Sequence, residues 1–377
     1  MLMKSSMALM AAMAAVLASC SNDEIRNTSS PVEIGFNTTL SGVTRTVLDK
    51  TNFNQFKVTA LNATDGAAYF SNEAVSKDGD SWFIDNHYYW PDYALDFYAY
   101  APTNLSNVTI SQTTKQITDF VPVYNVADQQ DIVVAIGSGS KQENAESGVS
   151  LNFKHELAQI EVKATNERPA AFTIDVLGVK LGRVKTKATM TFPTVAGNHA
   201  NWTAPTDVAT YGIKYDNAIT LTNEAQSLMG GNDNWLMIPQ TLTPWDKSNE
   251  NDEGFYLSVL LRITDKAGYV IYPQPKEGQT GVMYAYSAVP VSGTWEAGKK
   301  YTYTLKFFKD NGGAGLTDPN PTNPDPDVPE GGDPDVEPEP IPDEPGGGGN
   351  IMEGTIFFTV NIEDWTEGET KDLIMEN

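Results

Sequence analysis

Apolar and polar residues alternate with a period of two along most of the chain, and helical periodicity is scarce. Val32, Ile34, Phe36, Thr38 and Leu40 fall on one side of an extended segment, and Glu33, Gly35, Asn37 and Thr39 fall on the other. Successive side chains of a strand point to opposite faces, so this segment is expected to bury one face. The same pattern returns near the end, where Ile356, Phe358, Val360 and Ile362 share a face opposite Phe357, Thr359, Asn361 and Glu363. Between them, short runs at 54–61, 94–102, 131–136, 149–153, 172–177, 188–192, 235–239, 256–263 and 301–307 read as strands, separated by Gly, Asn, Asp and Pro clusters. Residues 137–148 read as a polar Gly/Ser loop, and Asp265-Lys266-Ala267-Gly268 as a hairpin turn. The predicted fold class is all-β.

Aromatic residues concentrate at Trp82, Phe83, Tyr88, Tyr89, Trp90, Phe97, Tyr98 and Tyr100. Rings on consecutive strands are the normal filling of packed sheets, each able to bury about 150–250 Å². A different use, stacking of Trp82, Tyr88, Tyr89 and Trp90 on sugar rings in a monomeric surface glycan-binding protein, needs these side chains exposed. The core reading is preferred.

At 377 residues the chain exceeds what one core normally organises. Two β-sandwich domains are expected, at 31–155 and 156–310. Residues 311–350 break the pattern, with ten Pro, nine Gly, ten Asp or Glu and no Lys or Arg. They cannot bury enough apolar surface to offset ordering entropy, and are expected to form a disordered linker. Extended, forty residues at ~3.1 Å each reach on the order of 100 Å, which could carry the C-terminal segment 351–377 to a neighbour. Asp325 and Asp327 lack the third early ligand of a calcium loop and are interrupted by prolines.

The N-terminus is a processing signal rather than structure. Lys4 precedes an apolar run from Met7 to Ala18, too short to span a bilayer, and small residues follow. The ending Leu17-Ala18-Ser19-Cys20 resembles the lipobox of bacterial lipoproteins. It implies a signal peptide over 1–19, lipidation at Cys20 and a polar tether over 20–30. Cys20 is the only cysteine, so no intramolecular disulfide can form. Ser21-Asn22-Asp23-Glu24 resembles the acidic sorting signal that sends related lipoproteins to the outer face of the outer membrane.

A net charge of −24 repels phosphate backbones, so nucleic acid is not an expected partner. His87, His155 and His199 are far apart and no HExxH or CxxC pattern occurs, so no metal or other cofactor is expected, and His155 is read as structural. GxSxG and P-loop patterns are absent too, and no enzymatic activity is expected.

The ordered set of motifs resembles the fimbrillin family, the subunits of type V pili of certain Gram-negative anaerobes. Its carriers are the lipobox at Cys20, Thr44-Arg45 after the first strand, Tyr89-Trp90-Pro91 followed by residues 95–100, Phe153-x-His155-x-Leu157-Ala158, Trp295-x-x-Gly298-x-x-Tyr301-x-Tyr303, and Ile362-x-x-Trp365. The resemblance implies two tandem transthyretin-like β-sandwich domains and a lipoprotein precursor. An arginine-specific surface protease would cut between Arg45 and Thr46, removing the strand Val32, Ile34, Phe36, Thr38, Leu40. A strand of the next subunit would replace it, with Ile356, Phe358, Val360 and Ile362 as the candidate donor. It further implies partners among other pilus subunits, an outer-membrane lipid anchor before cleavage, and an extracellular pilus with a role in adhesion afterwards, at the shaft or as a tip adhesin. The long acidic segment before the last strand departs from the family pattern.

Overall fold

The computed structural model describes residues 31–40, 53–79, 81–231, 234–248, 254–274, 283–319, 348–352 and 354–364, and the backbone of 371–373. Cys20, Arg45 and Thr46 lie outside the described residues.

The regular secondary structure of the described chain is nearly all strand. In the N-terminal half, Phe36–Leu40, Ser81–Ile84, Ala68–Asp78, Gln55–Asn62, Leu95–Ala101, Val133–Gly139 and Val149–His155 neighbour one another in that order and close into a barrel. The sequence reading anticipates two packed sheets. Closure arises because the opening segment is hydrogen-bonded on both sides, which removes the free edges a sandwich would leave. Its interior is apolar and aromatic, with Phe36, Phe56, Trp82, Phe97 and Phe153 all buried. Part of the anticipated Gly/Ser loop is strand: Gly137 and Gly139 pair with Phe97 and Leu95. A Cβ at Gly139 would lie 2.9 Å from the Trp90 ring, so a small residue there extends the strand where a larger one would collide.

The C-terminal half is built mainly from two sheets, with a two-stranded ladder of Gln240–Leu242 and Gly293–Trp295 beside them. One contains Ala158–Asn166, Lys299–Phe307 and Phe357–Asp364; the other is nine-stranded and centred on Phe172–Thr191 and Tyr256–Asp265. The two runs read at 172–177 and 188–192 are one strand of 20 residues. The main core collects Ile160, Val162, Tyr303 and Phe358 from the first sheet with Val179 and Val259 from the second. The Asp265 turn forms as anticipated, with the backbone N–H groups of Ala267 and Tyr269 donating to Asp265 Oδ1 at 2.9 Å, and Gly268 at φ +90°.

The halves are interlocked. Strand Leu95–Ala101 sends Leu95, Phe97 and Ala99 into the barrel, while Tyr98 and Tyr100 face a separate cluster with Ile117, Leu157, Met190 and Phe192. Strand Lys115–Phe120, from the first half of the sequence, pairs with Phe172–Thr191 of the second. Buried polar groups sit at this seam. Asp131 accepts from His155, and burial pushes the Asp131 carboxyl above its ordinary range, with His155 opposing the shift. Glu156 Oε2 accepts from Ala200 N at 3.0 Å, and burial raises its carboxyl likewise. His155 is thus a structural histidine at a strand end, as the sequence reading expects.

The acid-rich segment shows the largest departure. Residues 312–318 are buried, not linker: Leu316–Thr317 pairs with Ala285–Pro290 of the nine-stranded sheet. The far end of the segment returns to the same place. Thr317 N donates to Gly349 O and Gly348 N to Thr317 O, both at 2.8 Å, while Ile351 N donates to Gly315 O at 2.8 Å. Gly315, at φ +98°, has Ser287 Oγ only 2.2 Å from where a Cβ would stand, so this clasp requires glycine. The stretch 320–347 is therefore bounded by residues that meet at one point on the body. Its contour length does not separate the last strand from the rest of the chain.

Candidate assembly site: the strand that closes the barrel

The opening segment changes partners midway. Its first part is antiparallel to the Tyr88 region: Ile34 N donates to Tyr88 O and Trp90 N to Val32 O, both at 2.9 Å, and Glu33 bridges Tyr89. From Phe36 onward it runs parallel to Val149–His155, pairing Phe36 with Val149 through to Leu40 with Phe153. At the changeover Val149 N donates to Gly35 O at 2.9 Å. Gly148, at φ +71°, allows this approach, since a Cβ there would stand 3.0 Å from Gly35 O.

Side chains follow the alternation. Ile34, Phe36 and Leu40 are buried, Val32 and Thr38 half-buried, and Asn37 and Thr39 exposed. The Phe36 ring meets Phe97 edge-on at 5.6 Å between centroids and Phe56 at 5.9 Å, which places it at the centre of the barrel. Polar ties lie outside: Asn37 donates to Ser147 O, Thr39 Oγ1 to Asn152 Oδ1, and Glu33 contacts His87. These are exposed contacts of modest worth. The apolar face and the two rows of backbone bonds hold the strand.

The candidate donor face lies elsewhere. Strand Phe357–Asp364 is antiparallel to Lys299–Phe307 within its own chain, and Lys371–Leu373 covers its other edge. Ile356, Phe358 and Val360 belong to the main core and Ile362 is half-buried against it. The two strands read as equivalent are thus in separate sheets, and the sequence offers no signal for that.

The aromatic block is largely interior. Trp82 and Trp90 are only 5 % and 6 % exposed, so they cannot stack on a sugar as the glycan reading requires. Of that set, Tyr88 is half-buried and Tyr89 exposed. Among the described residues no group of three or more His, Cys, Asp or Glu could hold a metal ion.

Similar solved structures come from fimbrial and cell adhesion proteins. A fimbrial protein from Bacteroides vulgatus has a similar solved structure, at 19 % identity and a TM-score of 0.50, covering 73 % of this chain and 94 % of that one. A candidate cell adhesion protein from Bacteroides uniformis matches at 18 % identity over 89 % of this chain and 99 % of its own, with a TM-score of 0.45. The tip fimbrial protein Mfa3 from Porphyromonas gingivalis, with a C-terminal truncation, matches at 13 % identity over 74 % and 96 %, with a TM-score of 0.37. No curated protein is a significant match in sequence. The family profile described as fimbrillin-like matches residues 44–320, beginning just after the opening strand and ending where the acidic excursion begins. The chain belongs to the fimbrillin-like family.

Proposed function

We propose that this protein is a structural subunit of a cell-surface pilus, and that its opening strand is a placeholder for a strand of the neighbouring subunit. The observation that carries the reading is that Phe36–Leu40 closes the barrel by pairing on both sides, and is followed within a few residues by Arg45. Cleavage there would release the strand together with the lipid anchor at Cys20.

Removal would unpair the backbone along Val149–Phe153 and at Tyr88 and Trp90, and would uncover Phe56 and Phe97. Unpaired strand edges over an apolar interior are a template for another strand. Ile34, Phe36 and Leu40 each contribute about 1.5–3 kcal/mol when buried, so an incoming strand of the same pattern gains on the order of 5–9 kcal/mol before ordering costs. Such a joint could hold a fibre without covalent bonds.

In this scheme the precursor is exported as a lipoprotein and held at the outer membrane, cut after Arg45 by an arginine-specific surface protease, and assembled with other pilus subunits into an extracellular fibre that serves adhesion. The donor role falls to Ile356, Phe358, Val360 and Ile362, which would first have to leave Lys299–Phe307 of their own chain. The test is digestion of the lipid-free precursor with an arginine-specific protease. The expected large fragment begins at Thr46 and polymerises, while Arg45→Ala does neither; an Arg45→Ala protein that polymerises like the wild type rejects strand release.

A further inference from the structure

A fully enclosed pair of ionisable groups lies at the nine-stranded sheet, outside the barrel. Lys180 stands within strand Phe172–Thr191, and Asp318 follows Leu316–Thr317 where the acidic excursion departs. Both side chains are fully buried, with Lys180 Nζ 2.9 Å from Asp318 Oδ2. The Tyr286 ring centre is 3.8 Å from Nζ. On the other side Tyr256 Oη donates to Asp318 Oδ1 at 3.2 Å. Trp245 and Leu316 pack with Tyr256 and seal the site. Burial, reinforced by the nearby Asp318 carboxylate, pushes the Tyr256 phenol far above its ordinary range, so this hydroxyl stays a donor.

Two opposite charges sealed from water at 2.9 Å lose their hydration, a cost that joining the two groups in an amide would remove. The contact holds an amine nitrogen against a carboxyl group. Intramolecular reactions in such fixed arrangements reach effective molarities on the order of 10⁵–10⁸ M.

We propose that Lys180 and Asp318 condense into an intramolecular isopeptide bond. One Nζ proton passes to Oδ2, the freed Nζ lone pair attacks Asp318 Cγ, and Oδ1 gathers charge while it accepts from Tyr256. The Cγ–Oδ2 bond then breaks, and Oδ2 leaves as water, carrying its own proton and one from Nζ. An amide and one water replace an amine and an acid, nothing is oxidised or reduced, and no buried charge remains. The bond joins the strand Phe172–Thr191 to the residue at which the excursion starts, turning the clasp into a covalent anchor. This inference does not depend on the pilus reading.

Mass spectrometry of a tryptic digest of the full chain tests it directly. Trypsin cuts after Lys309 and next at Lys371, so Asp318 lies in one long peptide, 310–371. The expected product is a branched peptide joining 310–371 to the peptide containing Lys180, uncut after Lys180 and lighter than the two parts by one water. Asp318→Asn should give the same branched mass, because it loses ammonia where the wild type loses water. Lys180→Arg and Asp318→Ala should give linear peptides only. Tyr256→Phe should slow linkage by roughly 100-fold or more, leaving a larger linear fraction in protein digested soon after synthesis, as loss of one oxyanion donor does. A wild-type digest containing linear 310–371 and a peptide ending at Lys180 overturns the proposal and leaves a buried ion pair only.

Discussion

The opening strand Phe36–Leu40 and the closing strand Phe357–Asp364 carry the same alternation, yet the molecule treats them differently. The first pairs in parallel along five residues with a partner over a hundred positions away, and meets Ser81–Ile84 on its other side only at Phe36. The second is antiparallel along eight residues to Lys299–Phe307 and is followed by Lys371–Leu373 on its outer edge. It is also preceded by the clasp at 348–354. Parallel pairing is slightly weaker per residue than antiparallel pairing. The comparison shows that a one-sided apolar pattern specifies a buried face but not how firmly a strand is kept. By length, pairing and anchoring the opening strand is the more detachable of the two.

Deleting 351–377 breaks the comparison most severely. It removes Ile351, Ile356, Phe358 and Val360 from the main core, so the C-terminal half is expected to lose cooperative unfolding, measured by denaturant titration. A fully folded deletion protein would make the closing strand as dispensable as the opening one. Next, Phe36→Ala and Phe358→Ala should each cost about 3–5 kcal/mol in the uncut chain. After cleavage at Arg45 only the Phe358→Ala defect should persist, and equal defects before and after cutting would show that the opening strand is never released.

A smaller effect concerns the seam. Burial raises the Glu156 carboxyl above its ordinary value of 4.5, so Glu156 favours folding fully below that value and loses the contribution as pH rises through its folded value. Glu156→Gln should therefore gain in melting temperature relative to wild type from pH 4 to pH 7. A gain confined to one of two separate transitions would show that the barrel and the C-terminal half unfold independently. Smallest is Lys299→Ala, which removes a partly exposed contact with Asp364 beside the closing strand and should cost no more than about 1 kcal/mol in a thermal melt. A larger loss would mean that the edge pair, rather than the apolar face, holds that strand.

Much of the strand content was legible because burial on one side of a pleat imposes a period of two on the side chains. The faces of Val32 to Leu40 and of Leu95, Phe97 and Ala99 follow from that alone. Composition misled at the acidic segment. Gly312 to Asp318 look like linker, yet they are buried because the chain returns at Gly348 and satisfies their backbone groups, a pairing that composition does not encode. Gly137 and Gly139 misled for a related reason: a neighbouring strand and the Trp90 ring leave no room for a larger residue.

The sequence by itself determined the all-β class, the faces of its strands, and the order of lone cysteine, apolar strand and arginine, because each is a local matter of residue type and spacing. Only the tertiary structure decided which edges those strands occupy, that the ends of the excursion meet, and that Lys180 faces Asp318 in a dry site. Those outcomes depend on backbone hydrogen bonds and packing between distant segments, and a backbone N–H or C=O carries no mark in the sequence of the partner it will find.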